Sequence, residues 1–104
     1  MSTDSKYAVI THGKGGSPNA SWILWLKLQL ETYNYICKTP SFPPQDNSKL
    51  SDWFIELNKL DLDFSHSTFI AHARGAMALL RWINRLPKNV HIYKIITVSC
   101  NFDF

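Results

Sequence analysis

The alternation of two hydrophobic periods constrains this chain more than any other feature. Four short runs rich in β-branched and aromatic residues lie in "KYAVITHG", "YICK", "TFIA" and "IYKIITVSC", and three longer segments at helical spacing separate them. The order β-α-β-α-β-α-β leaves few solutions for a chain of 104 residues. Strands joined through helices pair in parallel, and right-handed crossovers lay the helices on both faces of one sheet. The expectation is an α/β three-layer sandwich, a single domain over residues 1–104 with a four-stranded parallel sheet in strand order 2-1-3-4.

The three helical segments are marked differently. Leu50, Trp53, Phe54, Leu57 and Leu60 follow one face behind Ser48 as a cap. In "WILWLKLQLETY", Trp22, Trp25, Leu26, Leu30 and Tyr33 are read as the buried stripe, with Ser21 as the cap. "ARGAMALLRWINRL" is a third helix stopped by Pro87, with Arg74, Arg81 and Arg85 on its solvated side. "GKGGSPNAS" has loop composition, and the three prolines of "TPSFPPQDNS" exclude regular structure there. Asp61 and Asp63 fall in the turn before the third strand, at the end of the sheet remote from the glycine turns.

Composition narrows the function classes. A hydrophobic fraction of 45% with 18% charged residues excludes a disordered chain, and four Trp, four Tyr and six Phe are read as mostly core. The formal charge of +3 comes from 11 basic and 8 acidic residues scattered along the chain, without the clustered patch a nucleic-acid interface requires. No apolar run approaches the ~20 residues of a membrane span, and "STDSK" after Met1 is not a leader. Neither a nucleic-acid nor a membrane partner is expected. Cys37 and Cys100 lie far apart, which fits a reduced, cytoplasmic protein with two buried thiols rather than a disulfide framework. The four histidines have no metal-ligand spacing. The glycines of "GKGGS" match neither a Walker loop nor a dinucleotide fingerprint. No metal and no cofactor are expected.

Two turns remain that could carry chemistry. "AHARG", residues 71–75, follows a strand and opens a helix, the setting of the G-x-S-x-G nucleophile elbow. Ala71, His72, Ala73, Arg74 and Gly75 fill its five positions, and the central hydroxyl is missing. "HGKGGSP", residues 12–18, follows strand one, where α/β hydrolases place a His-Gly loop whose backbone N–H completes an oxyanion hole. His12 is read as supporting that loop.

Together with these turns, "VITHGKGGSP", "SWILWLKLQLE", "LSDWFIEL", "STFIAHARGAMALLRWI" and "IITVSCNFDF" resemble the amino-terminal part of the small serine hydrolases grouped with retinoblastoma-binding protein 9, within the α/β-hydrolase superfamily. The W-x-x-W-L of the first helix and the L-x-D-W opening the second are its most discriminating elements. The resemblance implies a truncated α/β-hydrolase fold with Ala73 at the nucleophile position. It further implies oxyanion donors from the backbone N–H of Arg74 and from the Gly13-Lys14 turn. In that family the triad acid and the general-base histidine come later in the fold than Phe104 does in this sequence. The expectation is a serine-hydrolase relative that is catalytically inactive in this form. The alternative is a non-catalytic binding module, or the front fragment of a longer or split hydrolase acting on esters or amides. The outer edge of strand 92–100 has no visible partner in the sequence, so a homodimer or a partner chain is expected to pair there.

Overall fold

A computed structural model describes residues 6–13, 16–43 and 49–99. Four strands, β1 (Lys6–Thr11), β2 (Tyr35–Lys38), β3 (Ser67–His72) and β4 (Lys94–Val98), form one sheet. Its order is β2-β1-β3-β4, with every neighbouring pair parallel. The helices are α1 (Ser21–Thr32), α2 (Leu50–Asn58) and α3 (Arg74–Ile83), and a 3-10 turn (Phe64–His66) precedes β3. This is the three-layer α/β arrangement that the alternating periods dictate.

Side chains alternate across a strand, so the register divides the sheet into two faces. Val9, Phe69 and Ala71 join Trp53, Phe54, Leu57, Leu79 and Trp82 in the main core under α2 and α3. Ala8, Ile10 and Ile23 are fully buried on the other face, under α1. The 3.6-residue period of α2 does what its spacing predicts, burying Trp53, Phe54 and Leu57. Its first turn is closed by the Asp52 carboxylate, which accepts from the Lys49 N–H at 2.7 Å. Ser48, the expected cap, lies outside the described residues.

Helix α1 departs from the expected stripe. It buries Ile23, with Leu26, Lys27 and Leu30 half-covered beside it, while Trp25 is 63% and Tyr33 71% exposed and Trp22 is exposed as well. The inward face is rotated from the aromatic one because apolar residues recur on more than one side of α1. Two apolar stripes were available, and the sheet took the one that carries Ile23. Consequently the aromatics are less completely buried than composition implies. The cap also moves: Ser21 is the first helical residue, and Ala20 stands at the N-cap without a side-chain bond. At the other end Asn34 turns the chain into β2 with φ 67, a conformation asparagine tolerates.

Two further expectations change. Arg74 is buried rather than solvated, its guanidinium 5.8 Å from the centre of the Trp53 ring. A delocalised, weakly hydrated cation on an aromatic face is what makes that position tenable. Cys37 is half-buried rather than fully so, and Cys100 lies outside the described residues. No helix among the described residues is long and apolar enough to cross a membrane.

Candidate functional site

In strand order 2-1-3-4 the order reverses between β1 and β3, so their carboxyl ends flank the crevice where α/β sheets bind ligands. The chain crosses that crevice twice, at His12-Gly13 and at Ala73.

Ala73 joins β3 to α3 with φ 51 and ψ −119. A residue with a Cβ pays about 1–3 kcal/mol to hold such a conformation, so the surroundings must impose it. They do so from three sides. The Ala73 N–H donates to the Val98 carbonyl at 2.9 Å, anchoring the turn to the end of β4. The Ala73 carbonyl accepts from the Ala76 N–H at 3.0 Å, which starts α3 at once. Gly75 lets the first turn of α3 lie directly on β1: a Cβ there would collide with the His12 carbonyl oxygen and stand 3.1 Å from Thr11 Oγ1. The bend is a sharp elbow whose central side chain is a methyl group.

Gly13 meets that methyl across the crevice. A Cβ on Gly13 would lie 3.1 Å from the Ala73 Cβ and 3.2 Å from both the Nδ1 and the carbonyl oxygen of His72. The two turns are thus in mutual contact, and glycine at 13 is what permits it. A reverse turn follows, with the Gly16 N–H donating to the Gly13 carbonyl at 3.1 Å. Lys14 lies outside the described residues.

His12 is fixed at both ring nitrogens. The Phe42 N–H donates to Nε2 at 3.0 Å, so Nε2 carries no proton and Nδ1–H donates to the Gly13 carbonyl at 2.8 Å. The ring also meets Phe42 edge-on at 5.1 Å, and Phe42 stacks on Trp53 at 4.3 Å with 5° between their planes. Burial holds the His12 pKa below its ordinary value, against the smaller opposing effect of the Gly13 bond. His12 is a neutral buckle between Gly13 and Phe42. Phe42 is the residue that sequence reasoning missed. Its only signal was a lone aromatic in "SFPP", where the prolines exclude regular structure.

His72 turns the other way. It stands on the α1 side of the sheet, its ring 5.5 Å from that of Trp22, whereas Ala71 is buried in the core beneath α2 and α3. Asp61 and Asp63 precede β3 and lie at the opposite end of the sheet from the elbow. The Asp63 carboxylate is held below its usual range by hydrogen bonds, from Ser65 first and then His66. The fold therefore brings His12, Gly13, Ala73, Arg74 and Gly75 together, with His72 reaching Gly13 from the α1 side, and leaves Asp61 and Asp63 at the other end of the sheet. Among the described residues no three His, Cys, Asp or Glu side chains are grouped so as to hold a metal ion.

Comparison with known proteins bears on this geometry. A family model described as serine hydrolase matches residues 8–101. The YdeN protein of Bacillus subtilis (strain 168) is 28% identical over 96 residues, which are 91% of this chain and 50% of YdeN. The crystal structure of the ydeN gene product from B. subtilis superposes with a TM-score of 0.82 at 27% identity, covering 92% of this chain and 52% of that one. The chain spans about half the length of the relatives it matches.

Proposed function

We propose, from the premise that this chain belongs to the serine hydrolase family, that it is a member of the retinoblastoma-binding protein 9 group with Ala73 at the nucleophile position, unable to carry acyl transfer through that residue. In a working elbow the serine oxygen attacks an ester or amide carbonyl while a histidine takes its proton. The resulting oxyanion is held by backbone N–H groups. Here the donors would be the N–H of Arg74, at the start of α3, and one from the Gly13-Lys14 turn; Arg74 and Gly13 both lie at the crevice. The methyl of Ala73 has neither a lone pair to attack with nor a proton to give up.

Magnitude decides the outcome. Loss of the attacking serine in a triad enzyme lowers kcat by roughly a millionfold, leaving what the oxyanion hole and binding provide. Neither crevice histidine offers a second route. His12 has both nitrogens engaged, and His72 packs on Trp22 on the far side of the strand. By resemblance, the acid and the base belong to the part of the fold that follows the matched half. A reduced, cytoplasmic setting accords with Cys37, whose thiol pKa is pushed up by burial first and by Glu31 second.

The observation that carries this reading is the elbow backbone at Ala73, φ 51 and ψ −119, clamped against Gly13. The test is hydrolysis of a p-nitrophenyl ester by the purified chain. Turnover no higher than with heat-denatured protein is expected. Turnover that is well above that control and is removed by His12→Asn or His72→Asn would overturn the proposal.

A further inference from the structure

A groove of about 500 Å³, open to solvent, runs between α2 and α3. Leu50 and Phe54, one helical turn apart on α2, line one side of it, and Met77 and Leu80 of α3 line the other. Phe54 and Met77 are buried, whereas Leu80 is exposed. Arg81 and Arg85 line the same groove, so an apolar floor lies directly beside two cations.

The two guanidinium groups are held but not satisfied. Arg81 Nε donates to Met77 Sδ at 3.1 Å, and the Arg85 guanidinium carbon lies 5.3 Å from the centre of the Phe54 ring. A thioether is a weak acceptor, and an aromatic ring attracts the charge without satisfying a planar fork of N–H donors. Both contacts therefore fix the group in place while a stronger acceptor can still be taken. Among the described residues neither arginine is ion-paired. No carboxylate nearby competes for them: α3 has none, Asp52 of α2 accepts from the Lys49 N–H, and Glu56 pairs with the Lys59 ammonium at 2.9 Å.

Spacing identifies the form of the missing acid. Arg81 and Arg85 stand four positions apart, close to one helical turn, where like charges repel. Carboxylates three or four positions apart on a partner helix have the same separation, about 5–6 Å between Cβ atoms, and each can meet a guanidinium bidentately. An apolar residue on the adjoining face of that helix would fill the floor, which is how amphipathic helices lie in grooves.

We propose that the α2–α3 groove docks an acidic amphipathic helix of another protein, with an apolar side chain seated between Phe54 and Leu80 and carboxylates on Arg81 and Arg85. No residue of the elbow takes part, so the inference stands whether or not Ala73 is inert.

Fluorescence anisotropy tests it, with the full chain and a labelled helical peptide bearing leucines and glutamates in that pattern, beside a counterpart with glutamine for every glutamate. Saturable binding of the first peptide is expected, and binding of the second that is weaker by about tenfold or more. Arg81→Gln and Arg85→Gln should each weaken binding by about tenfold with an unchanged far-UV spectrum, and Leu80→Ser should weaken it as well. Lys88→Gln removes the same charge outside the groove and should leave the affinity unchanged. Equal affinity for the two peptides, an equal loss in Lys88→Gln, or no saturable binding overturns the proposal. Retention on phosphatidylserine vesicles without binding to the peptide would assign the arginines to a membrane surface and overturn it too.

Discussion

The Phe42 N–H donates to Nε2 of His12 across 30 positions of sequence, at 3.0 Å, and thereby fixes which nitrogen of that imidazole carries the proton. The Pro-rich loop and the glycine turn are tied through one neutral ring. Protonation of Nε2 would break this bond and place a charge against the Phe42 and Trp53 rings.

The pH dependence of folding follows from that bond. The folded pKa of His12 lies below the ordinary 6.5, so above pH 6.5 neither state binds the proton and the contribution of the neutral ring is complete. As pH falls below 6.5 the unfolded chain takes up the proton first, and stability declines until the folded pKa is passed. The slope stays within the one-proton limit of about 1.4 kcal/mol per pH unit. Melting temperatures measured from pH 8 down to 5 should fall in the acid range, and His12→Asn should flatten that limb while lowering stability at neutral pH. An equally steep limb in the variant would assign the effect elsewhere.

Gly75→Ala tests the close approach of α3 to β1. In an ordinary helix interior this change stabilises by about 1 kcal/mol. Here the added methyl meets the His12 carbonyl, and overpacking of this kind costs about 1–3 kcal/mol. Urea denaturation should show a lower midpoint for the variant, and a raised midpoint would mean that the turns are not in contact.

Ala73→Gly tests the strain at the elbow with the opposite sign. Replacing alanine by glycine normally destabilises, but at φ 51 and ψ −119 it removes a steric penalty. A gain of about 1 kcal/mol in chemical denaturation is expected, together with a clear loss for Ala73→Val, whose branched Cβ suits that conformation worse.

Much of the fold was legible in the sequence because short β-rich runs such as "KYAVIT" and "STFIAH" alternate with segments at helical spacing such as "LSDWFIEL". The crevice was legible for a different reason. Small residues in "AHARG" and "HGKGG" mark places where backbone must approach backbone, and Gly75 and Gly13 do touch the opposite turn. What stayed hidden is tertiary. Nothing local tells α1 to bury Ile23 rather than Trp25, since both stripes are apolar. Nothing local reveals that Arg74 finds an aromatic face, or that Phe42 reaches back to His12 from among prolines.

That rotation of α1 has a measurable consequence. Ile23→Ala should cost about 2–5 kcal/mol, as truncations of fully buried aliphatics do, whereas Trp25→Ala, at a position 63% exposed, should stay within about 0.5 kcal/mol. The reverse order would restore the aromatic stripe as the buried one.

The central claim, that the elbow presents a methyl where an attacking oxygen would stand, is tested most directly by intact-mass spectrometry after incubation with a fluorophosphonate probe, which bonds covalently to an activated serine. The account predicts that the mass of the chain does not change. A single stoichiometric adduct on the native protein, absent after denaturation, would contradict it.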